Sequence, residues 1–384
     1  LNPSIPQSLN PSIPQSLNPS MRYAVIIAGG SGTRLWPMSR SSLPKQLIPF
    51  IGGRSLLEIA LARLDGLVPR EQCFVCAGQS HAAAIKEALP HFSPEQFLGE
   101  PTGRDTLNAV GFTAAVLAQQ DPDATIAVFT ADHLIEPVDQ FQAIVDLGYQ
   151  LVEKHPQALI TFGITPTRPE TGYGYLELGD AFDGNARRLH QFREKPDRET
   201  ADRYVSAGPQ KFLWNSGMFV WRASTLLDCI RRYAPDNYAG LMKIATAWHT
   251  SDRQEVLDAV YPTLKKISVD YAVMEPASRD PSVTVAAVPM PLKWLDVGSW
   301  PSFAETCPHD EHGNALAANR TALLNTRATL VASSDPNHLV ATIGCEDLII
   351  VHTPDATLVC RADQADRLKE LHEQVGLRYG QESI

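Results

Sequence analysis

The chain is poor in cysteine, has no long apolar run and carries no excess of positive charge. Six cysteines among 384 residues are too few for a disulfide scaffold. Cys73 and Cys76 form a C-x-x-C, but the run from Gln72 to Ala77 reads as a buried strand, where positions three apart point to opposite faces. Core packing is the expectation for that pair. Cys307, His309 and His312 lack an evident fourth ligand, so a chance cluster in a polar linker outranks a zinc site. No stretch approaches the roughly 18 apolar residues of a bilayer span. A formal net charge of −10 argues against a general binder of nucleic acid or membrane surfaces. The expectation is a reduced, cytoplasmic protein with neither partner, in which any phosphate site is a local concentration of Arg and Lys. The Walker pattern is missing too: no Gly-Lys-Ser/Thr follows the first glycine cluster, and its spacing is not G-x-G-x-x-G.

What is present is ordinary globular composition, 44% hydrophobic and 20% charged, with length for one large domain and a smaller one. The first 20 residues stand apart. LNPSIPQS occurs twice in tandem, and LNPS begins a third copy before Met21. An uncharged repeat with two prolines per copy builds neither helix nor core, and it lacks the basic and apolar regions of a signal peptide. Residues 1–20 are therefore expected to be a disordered extension, with Met21 as the natural start.

From Tyr23 to about Gly163, short apolar runs alternate with helical periodicity. Strands are expected at Tyr23–Ala28, Cys73–Ala77, Thr125–Thr130 and Ala158–Gly163. Helices are expected at Leu56–Leu64, opened by a Ser55/Glu58 capping box, and at Ala82–Leu89, Thr106–Gln119 and Gln140–Lys154. Such alternation implies an α/β domain with a mixed, mostly parallel sheet, whose ligands sit beyond the carboxyl ends of the strands. Beyond about residue 163 an antiparallel excursion and more helices complete the domain near Trp300. From 301 to 384, short strand candidates at steps of about nine residues suggest a small β-rich, solenoid-like module, closed by a helix over Asp363–Val375.

The stretch Ala28–Leu47 follows the first strand with Gly29, Gly30 and Gly32, which bring backbone N–H groups close to phosphate oxygens. Arg34 and Lys45 add a forked donor and a point charge. Asp132 lies just past a buried strand, where an aspartate caps the next turn as readily as it holds Mg²⁺; Asp296, in the run Trp294–Trp300, supplies the second carboxylate that favours metal. Glu194-Lys195-Pro196 and Asn215 offer charge and a neutral donor–acceptor, and Thr171–Tyr175 combines two glycines with aromatics.

These motifs together resemble the sugar-nucleotide pyrophosphorylases, and the Leu35-Trp36-Pro37 and Pro44-Lys45-Gln46 wording is similar to the mannose-1-phosphate guanylyltransferases among them. The resemblance covers roughly residues 21–300, and the tail matches more loosely. It implies a Rossmann-like nucleotide-diphospho-sugar transferase domain followed by a short left-handed β-helix used in subunit association, hence a homodimer through the tail. It implies GTP and mannose 1-phosphate as substrates and Mg²⁺ held by Asp132 and Asp296. It further implies Arg34 and Lys45 as the catalytic cations, Gly29, Gly30, Gly32, Thr33, Glu100, Arg104 and Thr106 as contacts to the nucleotide, and Gly172, Glu194, Lys195 and Asn215 as contacts to the sugar phosphate. The run Asp270–Glu275 also matches the family, where packing and positioning are favoured over direct chemistry. Two departures stand out: Arg193 where Val is common, and Asp105 where the family usually carries Asn, an acceptor-only group when ionised. Another sugar-1-phosphate nucleotidyltransferase, or a non-catalytic sugar-nucleotide sensor, are the rivals. An added phosphomannose isomerase is disfavoured, because only about 80 residues follow Trp300 and they lack a convincing His/Glu constellation.

Overall fold

The computed structural model describes residues 21–30, 32–49 and 51–384. The tandem repeat and the expected start at Met21 fall at or before its edge, and residues 1–20 lie outside the described residues.

The first eleven strands are β1 (Arg22–Ile27), β2 (Cys73–Gly78), β3 (Phe97–Glu100), β4 (Thr125–Thr130), β5 (His133–Glu136), β6 (Ala158–Ile164), β7 (Tyr175–Asp183), β8 (Ala186–Arg193), β9 (Phe212–Arg222), β10 (Thr284–Pro289) and β11 (Lys293–Asp296). Nine of them form one sheet in the order β3-β2-β1-β4-β9-β6-β10-β8-β7. Only β8 and β9 run against the other seven. The reason the early strands read as continuous apolar runs is visible in β1. Tyr23 and Val25 enter one core and Ala24 and Ile26 the other, as in any parallel strand covered on both faces. Cys73 and Cys76 behave likewise, buried in opposite cores as free thiols.

The covering helices fall where periodicity placed them: α1 (Leu56–Ala62), α2 (Ala82–Ala88), α3 (Thr106–Gln120) and α4 (Val138–Lys154). The α1 capping box is present, with Ser55 Oγ accepting from Glu58 N and Glu58 Oε2 accepting from Ser55 N. Helix α3 is buried on all sides from Leu107 to Leu117, which makes it the spine of one layer. Because β1 to β4 are parallel, their carboxyl ends open on one edge, and the glycine turn, Glu100 and Asp132 gather there.

The tail contains β12 (Ala315–Ala317), β13 (Arg320–Leu324), β14 (Leu330–Ser333), β15 (Leu339–Ile343), β16 (Leu348–His352) and β17 (Thr357–Arg361). Parallel pairing of β12, β14 and β16, and of β13 with β15, stacks successive coils, with Val331, Val340 and Ile350 inside. The closing helix differs from expectation. Residues Ala362–Arg367 wind as a 3₁₀ segment and the α-helix runs only over Leu368–Tyr379. Ala365 and Leu368 are both buried three residues apart, the spacing that a 3₁₀ turn aligns.

The α/β unit and the tail share a core. Leu35, Trp36, Trp300 and Phe303 pack with Leu330, Ile349 and Val351, Trp300 Nε1 donates to Trp36 O at 2.9 Å, and Trp36 Nε1 donates to Ser383 O at 2.9 Å. The change of character at residue 301 therefore falls inside a packed seam.

Candidate active site

A two-stranded ribbon builds the centre of the site. Strands β5 and β11 pair antiparallel with Asp296 opposite His133, and Val297 N donates to Asp132 O at 3.0 Å. This pairing, across a large sequence separation, places one ligand atom each of Asp132, His133 and Asp296 within 4.8 Å of one another. Lys45 Nζ lies 2.7 Å from Asp132 Oδ2 and donates to Val297 O at 3.3 Å. Burial alone would push the Asp132 carboxyl up, but Lys45 and His133 outweigh it and hold it down at about 2. Burial, aided by the Asp132 charge, raises Asp296 to about 6. Two facing carboxylates offer hard oxygen donors and fit a small divalent cation such as Mg²⁺. His133 fits less well. Trp294 Nε1 donates to its Nδ1 at 3.2 Å, so the single proton of the neutral ring sits on Nε2, and burial keeps the ring neutral by pushing its pKa down to about 4.

The glycine turn closes over this pair. Gln46 Nε2 donates to Gly29 O at 2.6 Å and Ser39 Oγ to Gly32 O at 2.7 Å, so polar side chains pin the loop from behind. Gly32 has φ +63°, and a Cβ there would stand 3.0 Å from Lys45 Cβ. The glycine is what lets Lys45 lie against the turn. Arg34 is exposed and has no ion pair among the described residues. A Cβ on Gly298 would stand 3.3 Å from both Arg34 Nη2 and Asp296 Oδ1, which places the guanidinium beside the carboxylate pair. Thr33 opens the single 3₁₀ turn that carries Arg34.

Beside the pair lies a cavity of about 770 Å³, lined by Gly29, Gly30, Glu100, Gly103, Asp105, Thr106 and Asp132. Glu100 accepts from Tyr261 OH at 2.6 Å, and burial raises its carboxyl. Asp105 caps α3 through Oδ1 to Thr106 N at 2.8 Å while holding φ +67° and ψ 172°, a strained region costing on the order of 1–3 kcal/mol. Thr106 Oγ1 accepts from Val269 N. Arg104 is not among the lining residues; its guanidinium turns aside and donates to Pro262 O. Lys266, Ser80 and His81 line the cavity unforeseen. Nothing in local spacing marks Lys266; it arrives because Asn108 and Asn237 both donate to Lys265 O.

On the other side Glu194 is buried with Oε1 3.0 Å from Lys195 Nζ. Burial raises the Glu194 carboxyl despite that neighbour. Asn215 Nδ2 donates to Asp270 Oδ1 at 3.0 Å, and Thr161 Oγ1 donates to Asn215 Oδ1 at 3.0 Å. These two bonds fix the amide orientation and leave one N–H for a ligand. Burial, with the Glu194 charge beside it, raises Asp270 to about 7. Gly172 is exposed and donates N–H to Glu170 Oε1 at 3.1 Å. The tight glycine is Gly174, where a Cβ would stand 2.5 Å from Glu194 Oε2 and 3.3 Å from Asn215 Cβ. Tyr173 joins the two sides, with its ring 5.3 Å from Trp214 and 5.2 Å from Trp294.

A paired-carboxylate centre beside a glycine-turn cavity and a cluster of polar side chains, at the carboxyl edge of a nucleotide-binding type of sheet, is the arrangement of an enzyme that joins two phosphate-bearing substrates. The comparisons agree. Residues 23–313 match the nucleotidyl transferase family and 319–375 the MannoseP isomerase/GMP-like beta-helix domain. A mannose-1-phosphate guanylyltransferase of Klebsiella pneumoniae is 35% identical over 92% of this chain and 74% of its own length. The xanthan biosynthesis protein XanB of Xanthomonas campestris is 36% identical over 91% and 72%. A crystal structure described as a mannose-1-phosphate geranyltransferase from Thermus thermophilus superposes with a TM-score of 0.80 at 32% identity, covering 92% of this chain and 99% of that one. The chain belongs to the nucleotidyl transferase family, among the mannose-1-phosphate guanylyltransferases. It is a nucleotidyltransferase.

Proposed function

We propose that this chain transfers GMP from GTP to α-D-mannose 1-phosphate, giving GDP-mannose and pyrophosphate. A phosphate oxygen of the sugar attacks the α-phosphorus in line; the new O–P bond forms as the α–β bridging bond breaks, and its electron pair leaves with pyrophosphate. No protein nucleophile is needed, so positioning and charge neutralisation carry the rate. Asp132 and Asp296 would hold Mg²⁺, which screens repulsion between the two anionic substrates when bound. Arg34 and Lys45 stabilise charge on the α-phosphate and the departing group. The glycine turn, Thr33, Glu100 and Thr106 cradle the nucleotide, with Lys266 added as a further cation and Arg104 acting from behind the loop. Lys195 orients the sugar phosphate, while Glu194, Asn215 and the backbone around Gly172–Gly174 take its hydroxyls.

The observation that carries this reading is the carboxylate pair, with Asp132 on the lining of the glycine-turn cavity and Tyr173 connecting the Asp296 strand to the Glu194-Lys195-Asn215 cluster. Guanine and mannose rest on the relatives. Asp105 caps α3, a role open to Asn and Asp alike, so its departure from Asn carries no preference against guanine. Six free thiols support a reducing, cytoplasmic setting. Leu324 and Ile343, exposed at 57% and 75% on β13 and β15, support association of two copies through the tail. The reading stands between two bodies, 21–300 for catalysis and 301–384 for association, joined by the Trp36–Trp300 seam. The test is pyrophosphate release across a matrix of nucleoside triphosphates and sugar 1-phosphates. GTP with mannose 1-phosphate should turn over fastest. A different preferred pair would move the specificity, and release with no pair would revive the sensor reading.

A further inference from the structure

No metal constellation was expected in the tail, but folding brings together there a second group of side chains of metal-ligating type, apart from the active site. Asp335 and His338 come from the turn between β14 and β15, and His352 ends β16. One ligand atom of each lies within 4.8 Å of the others. The backbone fixes this meeting. Parallel pairing of β14 with β16 sets Ser333 opposite His352, and Ser334 N donates to His352 O at 3.0 Å. The turn is braced by Ser333 Oγ, which donates to Asp335 O at 3.0 Å and accepts from Asp335 N at 3.2 Å. Asp335 Oδ1 accepts from Asn337 N at 2.8 Å. Its other carboxylate oxygen has no hydrogen-bond partner among the described residues, and no Lys or Arg pairs with it there. The two imidazoles stack with centroids 3.5 Å apart and planes 15° apart.

We propose that Asp335, His338 and His352 bind a divalent transition ion of the zinc class. Two imidazoles and one carboxylate are a borderline donor set that suits zinc, copper or nickel ions better than the hard Mg²⁺ expected at Asp132 and Asp296. His352 Nδ1 lies 3.2 Å from Thr357 Oγ1. A proton on Nδ1 donated to that hydroxyl leaves Nε2 as the ligand atom, the outer bond that commonly orients a metal-binding histidine. Stacked rings do not aim their lone pairs at one point, so binding fans the imidazoles apart by rotation about χ2, a torsion with broad wells. Water completes the shell. The bound ion ties the β14–β15 turn to the end of β16 and so staples successive coils of the tail.

The test uses the full chain without an affinity tag, incubated with zinc, desalted and analysed for bound metal. Wild-type protein is compared with His338→Gln, His352→Gln and Asp335→Asn, each checked for folding by near-ultraviolet circular dichroism. The wild type should retain one more equivalent of zinc than each histidine variant, with affinity at the tail site lowered more than about tenfold. Asp335→Asn, a turn substitution at a partly exposed position, keeps the test available if a histidine variant misfolds. Cobalt substitution gives a second readout: a ligand-field band present in the wild type and absent from the variants. Pyrophosphate release with Mg²⁺ should be unchanged. Equal zinc retention in the wild type and a folded variant overturns the proposal.

Discussion

The two walls of the active site are built on opposite principles. The wall assigned above to the sugar phosphate is interlocked without a ligand: Asn215 is held from both ends by Thr161 and Asp270, and Glu194 is already matched to Lys195. The wall assigned above to the nucleotide is fastened from behind, through Gln46 and Ser39, while Lys266 stands exposed on the cavity lining and Arg34 stands exposed beside the carboxylate pair. A small neutral ring with hydroxyls at fixed angles is read best by preset donors and acceptors, which avoid ordering costs on binding. A flexible polyphosphate is neutralised by charges that can follow it. The difference predicts that damage to one wall should show in one substrate's kinetics and not the other's.

The largest effects should come from the centre that both walls share. Asp296→Asn and Lys45→Ala should each lower kcat by on the order of a hundredfold or more, by analogy with other electrostatic stabilisers, measured as pyrophosphate release under saturating substrates. Near-normal turnover in either would remove these residues from the chemistry. Chelation of divalent ions should abolish the same activity, with recovery on adding Mg²⁺.

Next comes the seam behind the nucleotide wall. Trp36 is only 6% exposed, and Trp36→Ala should cost about 3–5 kcal/mol in stability, seen as a fall in Tm. A Trp36→Ala protein that kept its Tm but lost nucleotide affinity would show the side chain contacting substrate instead.

A finer comparison lies within the sugar wall. Gly174→Ala puts a Cβ 2.5 Å from Glu194 Oε2 and should raise KM for the sugar phosphate while costing about 1–3 kcal/mol. Gly172→Ala meets only Glu170 Oε1 at 3.4 Å and should leave stability nearly unchanged. Its effect on sugar KM measures how closely a ligand approaches that backbone.

The smallest predicted effect is a pH slope. The Asp270 carboxyl is raised to about 7 in the folded chain, against about 3.9 when unfolded. Below pH 4 both states hold the proton. As pH rises from 4 to 7 the unfolded chain releases it first, so this group's contribution to stability falls, by at most about 1.4 kcal/mol per pH unit. Asp270→Asn removes that slope. Its Tm relative to wild type should climb across the same window, and a constant difference would show that Asp270 ionises normally.

Much of this was legible in the chain itself. Continuous apolar runs gave β1, β2, β4 and β6 within a residue or two, because strands covered on both faces leave a periodicity-free signal of fixed length. Asp132 and the Glu194-Lys195 pair were marked by position at strand ends and by family wording. The β5–β11 ribbon was not legible. Its strands have four residues each, and long-range pairing is a property of register that no local pattern announces. Trp36 and Pro37 read as a substrate-family signature, yet the indole packs into the seam with the tail. Family wording singled out Gly172, yet Gly174 is the glycine that Glu194 lies against. Arg104 sits in the expected loop, but its long side chain was free to turn to Pro262.

The division of the site into two walls is tested by two-substrate initial-rate kinetics on Lys195→Ala. Lys195 lies on the sugar wall with its ammonium beside Glu194 and outside the lining of the nucleotide cavity. KM for mannose 1-phosphate should rise by about tenfold or more, by the cost of a charge-assisted contact, with KM for GTP unchanged. Equal rises in both constants, or none in either, would contradict that division.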